Sequence, residues 1–204
     1  MSKKLFISRE ALTIPVFKNN LLDRMTRTNH ITPYLVYVPV VCFFLFRAFF
    51  VNDTPWHEAL AIFIPALVFW TILEYLLHKI LFHYEGTSKS AKKFIYAIHG
   101  AHHDYPNDPY RLVVPIAVSI PALVIFYFLF RVIWTEVYID IFMASLVSIY
   151  LVYDTNHYMS HCGNWKNPYF QKMKKHHLRH HFSDPKKDFG FTTKLWDRVF
   201  QSLS

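Results

Sequence analysis

The sequence predicts an all-α integral membrane protein with four transmembrane helices and a histidine-rich cytoplasmic cap. Three observations predict this fold. Hydrophobic residues make up 53% of the 204 residues and only four residues are glycine, which is unlike the composition of a soluble enzyme. The hydrophobic residues are concentrated in long runs. Ten of the thirteen histidines fall in four short clusters next to the ends of those runs.

Four apolar runs are interpreted as membrane spans, at about residues 34–51, 56–82, 112–134 and 137–153. A helix that crosses a bilayer needs about 20 residues. The turns after residues 51 and 134 are short, so the runs pair as two antiparallel hairpins and both termini return to one side. Residues 1–32 form a leader before the first span, and residues 154–204 follow the last span as the cap.

The lysines and arginines predict the orientation of the spans. Of these 22 residues, 20 lie in the leader, in the 79–111 segment or in the tail. Because lysine and arginine are enriched in cytoplasmic loops, we expect both termini and the middle loop to be cytoplasmic. The net charge of +8 does not follow a polar face or a recognised nucleic-acid motif, so no nucleic-acid partner is expected.

Every histidine cluster falls at the predicted cytoplasmic edge. The pattern HxxHH occurs twice, and two further clusters are pairs. Histidines at i and i+4 lie about 40° apart around a helix and can share a site, whereas His78 and His83, at i and i+5, lie about 140° apart. That pair either spans two metals or sits where the helix unwinds. One tetrahedral site takes four ligands, so ten histidines predict two adjacent metals. The predicted ligands are His78, His83, His99, His102, His103, His157, His161, His177, His180 and His181.

Imidazole binds iron, zinc, copper and nickel, so the ligand type leaves the metal open. Iron is favoured because a lipid chain offers mostly unactivated C–H bonds, whose oxidation needs redox chemistry with O2, and zinc has none. Zinc is kept as a structural or adventitious occupant. Ligating histidines donate their second N–H to a carboxylate or a carbonyl. The carboxylates placed for this role are Glu74, Asp104, Asp108 and Asp154.

Several polar residues at the same edge are candidates for contacting a lipid head group. Tyrosine and arginine are also common interfacial anchors, so the sequence leaves the two roles open. The candidates are Tyr105, Tyr110, Arg111, Tyr153 and Tyr158.

Three motifs together resemble one protein family. They are HGAHHDYPNDPYRLVVP, YDTNHYMSHCG, and KKHHLRHHF followed by FGFTTKLWDRVF. They are similar to the fatty acid 2-hydroxylase branch of the integral-membrane fatty acid hydroxylase and sterol desaturase superfamily, from about Glu74 to Phe200. The resemblance implies hydroxylation at C2 of a long acyl chain by a histidine-ligated di-iron centre, with O2 and electrons from NAD(P)H. It also implies that the ten histidines are the metal ligands.

The electron supply implied by the resemblance is external. Many eukaryotic members carry a cytochrome b5 domain with a haem-binding HPGG motif, and this sequence lacks that motif. We therefore expect a separate cytochrome b5-like or ferredoxin-like donor. The expected membrane is the bacterial inner membrane, or the endoplasmic reticulum if the chain is eukaryotic.

Two alternatives are weighed against this function. The same dimetal chemistry could act on a sterol or a carotenoid instead of an acyl chain. A membrane metal transporter is disfavoured, because transport sites lie near the bilayer midplane and the middles of the predicted spans hold no histidine, aspartate or glutamate. The sequence leaves open the choice among free fatty acid, acyl-CoA and ceramide.

Overall fold

The computed structural model describes residues 5–204, and within that range the chain is helical without β-strands. This confirms the all-α prediction; the first four residues of the predicted leader lie outside the described part. The chain divides into two compact units. One, here called the membrane unit, comprises Ile31–Trp70 and Ile116–Val152. The other, the histidine unit, comprises the leader up to His30, Thr71–Pro115 and Tyr153–Ser204.

The helices follow one another in a simple order. They are α1 (Asn20–Met25), α2 (Thr32–Phe46), α3 (Trp56–Leu76), α4 (Lys89–Ile95), α5 (Ala101–Asp104), α6 (Ile116–Arg131), α7 (Glu136–Cys162), α8 (Pro168–Phe182) and α9 (Leu195–Val199). Segments of wider, π-helical turn extend three of them: Arg47–Val51 continues α2, Leu77–Phe82 continues α3, and Tyr96–Gly100 joins α4 to α5.

Three helical segments are long and apolar enough to cross a membrane. They are Thr32–Val51 with 20 residues, Trp56–Phe82 with 27 and Glu136–Cys162 with 27. At 1.5 Å per residue, 20 residues reach about 30 Å, the thickness of the hydrocarbon core. Large apolar side chains such as Phe50 and Ile64 are exposed along them, as suits a lipid environment. These three segments confirm the membrane character of the predicted spans at 34–51, 56–82 and 137–153.

The predicted span at 112–134 is shorter in the structure. Its helix, α6, has 16 residues, or about 24 Å of rise. Residues 112–115 are not helical, because Pro115 disfavours helical backbone before it and because the main chain there binds other groups. The carbonyl of Leu112 accepts from His157, and the N–H of Val114 donates to Asp154. The four-span topology therefore stays a prediction.

A buried aspartate joins helix ends within the membrane unit. The side chain of Asp140, on α7, is 1% exposed and accepts from Arg47 Nε at 3.0 Å and from Asn52 Nδ2 at 2.9 Å. Two residues before Asp140 in the sequence, the hydroxyl of Tyr138 donates to Glu58 at 2.7 Å. These contacts tie the ends of the first two apolar segments to the start of α7.

The histidine unit begins with the leader, which packs on the segment after α5. Thr13 Oγ1 donates to Asp108 at 2.6 Å, and Asn107 Nδ2 donates to the carbonyl of Arg9 at 2.6 Å. Helix α8 begins at Pro168, where Asn167 caps it by accepting from the N–H groups of Tyr169 and Phe170. Its buried face carries Met173 and four histidines. Helix α7 continues past the predicted end of the last span, residue 153, to Cys162.

We predict that Asp140→Ala destabilises the protein by about 1–3 kcal/mol, because it leaves the donors of Arg47 and Asn52 without their buried acceptor. Thermal unfolding in detergent should show a drop of several degrees. The control is Glu136→Ala, which removes an ion pair with Arg131 between exposed side chains and should cost less than about 1 kcal/mol. Equal shifts for the two variants would contradict the structural role of Asp140.

Candidate metal centre

The ten predicted histidines come together in two groups of five. Within each group the candidate ligand nitrogens lie within 4.8 Å of one another. Group A consists of His78, His83, His99, His103 and His180. Group B consists of His102, His157, His161, His177 and His181. The groups are adjacent, because the rings of His103 and His181 stack at 4.2 Å.

Each HxxHH segment serves both groups in a regular way. Its i and i+4 histidines belong to one group and its i+3 histidine belongs to the other. In a helix, the i+4 side chain is rotated about 40° one way from position i and the i+3 side chain about 60° the other way. A helix placed between two sites can therefore supply both. The segment at 99–103 gives its pair to group A, and the segment at 177–181 gives its pair to group B.

The remaining two pairs are local to single groups. His157 and His161 lie one turn apart on α7 and both belong to group B. His78 and His83 both belong to group A, with Nε2 atoms 3.3 Å apart. The chain between them is π-helical, and the N–H of His83 donates to the carbonyl of His78 five residues earlier at 3.2 Å. This wider turn brings the i and i+5 side chains onto one side, so the pair does not divide between the groups.

The Nε2 atoms of group A form a closed ring of short contacts. The five Nε2–Nε2 distances are 3.2 Å for His78–His99, 2.9 Å for His99–His103, 3.2 Å for His103–His180, 3.0 Å for His180–His83 and 3.3 Å for His83–His78. Nitrogens bound at right angles to one metal at a typical Zn–N distance of about 2.1 Å would be about 3.0 Å apart. The ring is therefore the right size for one metal ion.

The number of protons available to the five Nε2–Nε2 contacts of group A also fits a bound cation. His78 Nδ1 lies 2.6 Å from the carbonyl of Phe189, and His180 Nδ1 lies 2.7 Å from that of Lys187. A carbonyl only accepts, so both Nδ1 atoms are protonated and both Nε2 atoms carry lone pairs. The other three neutral imidazoles supply at most three Nε2 protons for the five contacts. At least two contacts therefore bring lone pairs together unless a cation lies between them.

Group B has a related arrangement. His157 Nδ1 donates to the carbonyl of Leu112 at 2.7 Å, and its Nε2 lies 3.1 Å from Nε2 of His102. The Nε2 atom of His177 lies 2.9 Å from that of His161 and 3.1 Å from that of His181. Group B therefore also presents converging ring nitrogens to one point.

Burial keeps these imidazoles in the neutral form that binds metals. Burial and the nearby ring of His180 lower the pKa of His83 to about 3. Burial lowers the pKa of His180 to about 4, against the opposing effect of its bond to the carbonyl of Lys187. Burial and neighbouring imidazoles also hold the pKa values of His99 and His177 well below the usual range. A neutral ring is the ligand form, since metals compete with protons for nitrogen.

Each of the four carboxylates chosen from the sequence has a hydrogen-bond partner other than a histidine ring. Glu74 is buried and accepts from the N–H groups of Phe191 and Thr192 and from the Thr192 hydroxyl. Asp154 accepts from Val114. The observed Nδ1 partners in both groups are main-chain carbonyls. Any direct action of these carboxylates on the histidines stays a prediction.

Asp104 and Asp108 lie after the first HxxHH segment. Asp104 hydrogen-bonds to Tyr96, and its carbonyl accepts from the leader N–H groups of Ile7 and Ser8. Asp108 is fully buried and accepts from Thr13, and it forms an ion pair with Arg111 at 2.6 Å. Both aspartates therefore fasten the leader and the loop after α5.

The candidate head-group residues are distributed over the histidine unit. Arg111 is buried between Asp108 and Asp23, with Nη2 3.7 Å from the latter. Tyr110 and Tyr105 follow the first HxxHH segment, and Tyr110 is 43% exposed. On α7, the ring of Tyr153 lies 6.0 Å from that of His157, and Tyr158 stacks on His30 at 4.3 Å. Head-group binding by these residues stays a prediction.

The sequence interpretation missed one segment that contacts both groups. The loop at residues 187–192 supplies the two carbonyls described above and two buried rings. Phe189 lies 5.5 Å from the rings of both His83 and His180, and Phe191 lies 5.0 Å from the ring of His177. The only sequence signal was the FGF string inside the third motif.

These features define a helical integral membrane protein with paired pentahistidine clusters. Comparison with known proteins identifies its family. Residues 63–202 match the fatty acid hydroxylase family, and the chain belongs to it.

Named relatives agree with this family. The chain is 35% identical to a dihydroceramide fatty acyl 2-hydroxylase of Arabidopsis thaliana over 92% of this chain and 78% of the relative. It is 32% identical to fatty acid 2-hydroxylase of Rattus norvegicus over 95% of this chain and 57% of the relative. It is 34% identical to the ceramide very long chain fatty acid hydroxylase scs7 of Schizosaccharomyces pombe over 91% of this chain and 54% of the relative. The chain thus spans just over half the length of the rat and fission-yeast relatives.

A solved structure of full-length scs7p, in which only the hydroxylase domain is visible, has the same fold. The TM-score is 0.83 at 30% identity, and the match covers 91% of this chain and 70% of that chain. The predicted kinship with fatty acid 2-hydroxylases is confirmed.

We predict that chelation of bound metal lowers the melting temperature by at least about 5 °C, because a ligand present at 100 times its Kd contributes about 2.7 kcal/mol. Thermal unfolding in detergent should recover when Fe(II) or Zn(II) is restored. His57→Ala, at an exposed position, should respond like the wild type. His103→Ala should have a lower melting temperature before chelation and a smaller decrease after it. A wild type whose melting temperature is insensitive to the chelator would contradict metal binding.

Proposed function

We propose that this protein is an O2-dependent membrane monooxygenase that hydroxylates C2 of long acyl chains, either free or in ceramide and related sphingolipids. In the reaction, the C2–H bond is replaced by C2–OH and the second oxygen atom leaves as water. The balance requires one O2, two electrons and two protons for each chain. The electrons come from NAD(P)H through a separate cytochrome b5-like or ferredoxin-like protein.

The observation that carries this proposal is the pair of adjacent pentahistidine groups in a chain of the fatty acid hydroxylase family. Each group offers nitrogen ligands alone, and seven of the ten histidines are buried. Iron bound there would supply the redox chemistry with O2 that an unactivated C–H bond requires. Zinc binds the same ligands and is the expected occupant after purification without iron, but it has no redox chemistry.

In this proposal, the residues of the chain would have three separate roles. The ten histidines hold the two ions. Main-chain carbonyls at Leu112, Lys187 and Phe189 fix the ring orientation of three of them. The rings of Phe189 and Phe191, both nearly buried, pack against the two groups and limit access of water.

The position of C2 in the substrate suits an interfacial centre. C2 is bonded directly to the carboxyl or amide carbon, so it can reach a metal centre at the membrane surface while the rest of the chain stays in lipid. We place the histidine unit on the cytoplasmic side, following the distribution of lysine and arginine. Relatives named dihydroceramide and ceramide hydroxylases support an amide-linked acyl chain as substrate.

The test is lipid mass spectrometry in a host that makes sphingolipids and supplies electrons to membrane oxygenases. We expect the wild type to add one oxygen at C2 of acyl chains, located by fragmentation, and His102→Ala to abolish the product because it removes a buried group B ligand. His57→Ala should retain the wild-type level. Equal membrane content of all three proteins, checked by immunoblot, excludes an effect of expression.

Other outcomes would change the assignment. An added oxygen or double bond on a sterol or carotenoid would keep the metal centre and replace the substrate. An unchanged product level with His102→Ala would count against the dimetal chemistry itself.

A further inference from the structure

We propose that Asp197 is a positioning residue that acts on His78 through a single peptide group. The Phe189–Gly190 peptide accepts from His78 Nδ1 at its carbonyl, at 2.6 Å. The N–H of the same peptide donates to Asp197 Oδ2 at 2.8 Å. The result is a carboxylate–peptide–histidine chain in place of the direct carboxylate–histidine contact common at metal sites. The inference rests on the proposed metal centre and concerns how group A is held.

The carboxylate of Asp197 is buried and binds the loop through both of its oxygens. It is fully buried at 0% exposure, and its other oxygen accepts from Phe189 N–H at 2.9 Å and from Ser202 Oγ at 2.8 Å. His176 Nε2 lies 3.0 Å from Oδ2. Two consecutive N–H groups of one loop therefore converge on one carboxylate. Hydrogen bonds in series through a peptide polarise one another, so a charge at the N–H end strengthens the carbonyl as an acceptor.

The same loop orients a second histidine of group A. The carbonyl of Lys187 accepts from His180 Nδ1, and the N–H of that peptide, at Asp188, donates to the carbonyl of Ser202 at 2.8 Å. Asp188 has a φ of 59°, in the left-handed region that aspartate tolerates better than most residues. Its carboxylate is paired with Arg179 at 2.9 Å. Both carbonyls of the loop therefore depend on contacts behind it.

Gly190 is required for the close approach of the loop to Asp197. A Cβ at this position would lie 2.3 Å from the carbonyl oxygen of Thr193 and 2.9 Å from Asp197 Oδ2. Since the first atom is main chain, the loop itself would have to move. Gly190→Ala therefore displaces the same peptide as an Asp197 substitution, by sterics and not by charge.

The carbonyl that orients a histidine of group B comes from a different segment of the chain. The observed carbonyl partner of His157 is Leu112, from the segment before α6. Loss of the Asp197 contact should therefore weaken metal binding in group A and spare group B. A general structural defect would weaken both.

The experiment counts metal ions per full-length chain in detergent after dialysis against a fixed chelator concentration. We expect two ions for the wild type and one for Asp197→Asn. The asparagine amide would present an N–H group to an N–H group of the loop. This repulsion should lower the affinity of group A for its metal ion by about 10–100-fold. Gly190→Ala should also hold one ion. The control, Asp184→Asn, changes a nearby carboxylate that accepts from the N–H of Lys186, and it should hold two ions.

Double variants identify which ion is lost. Asp197→Asn with the group A variant His103→Ala should still hold one ion, and Asp197→Asn with the group B variant His161→Ala should hold none. Retention of two ions by Asp197→Asn and Gly190→Ala, or loss of both ions from monodisperse protein, would overturn the inference. A wild type that never holds two ions would instead refute the proposed dimetal centre, and the inference would fall with it.

Discussion

The packing of ten neutral imidazoles within one unit, seven of them buried, is the constraint on which the rest of the histidine unit depends. A ring that offers Nε2 to a metal must donate its Nδ1 proton elsewhere, and inside a regular helix the carbonyls are already bonded four residues on. For three of the ten rings the acceptor comes from irregular backbone. Leu112 lies in the non-helical segment before α6, and Lys187 and Phe189 lie in the loop after α8. The irregular segments are thus part of the site.

The division of each HxxHH segment between the two groups makes the groups interdependent. His102 belongs to group B although its neighbours His99 and His103 belong to group A. His180 belongs to group A although the other two histidines of its segment belong to group B. Neither group can be complete unless both segments are helical and both helices are docked. Both groups therefore depend on the packing of the same two segments, while each group has its own five histidines.

The parts of the site that the sequence predicted are those with a residue-type signal. Histidine spacing predicted the ten residues, and hydropathy predicted the three long apolar segments. The partner of each ring was not predictable, because a main-chain carbonyl exists at every position and leaves no trace in the sequence. Glu74 lies four residues before His78, yet it binds the N–H groups of Phe191 and Thr192. The start of α6 was missed because the apolar run continues through residues 112–115, whose backbone is used for hydrogen bonds.

The choice of carbonyls over carboxylates as ring partners has an electrostatic consequence. Ten neutral ligands would leave the charge of two bound cations uncompensated within the groups, and an uncompensated buried charge is costly. Glu74 and Asp197 are both buried and both bind N–H groups of the loop that contacts the histidines. Asp197 lies one peptide behind His78, where a carboxylate would offset a bound cation without competing for the metal. Substituting Asp197 would therefore change the proposed centre without removing a ligand.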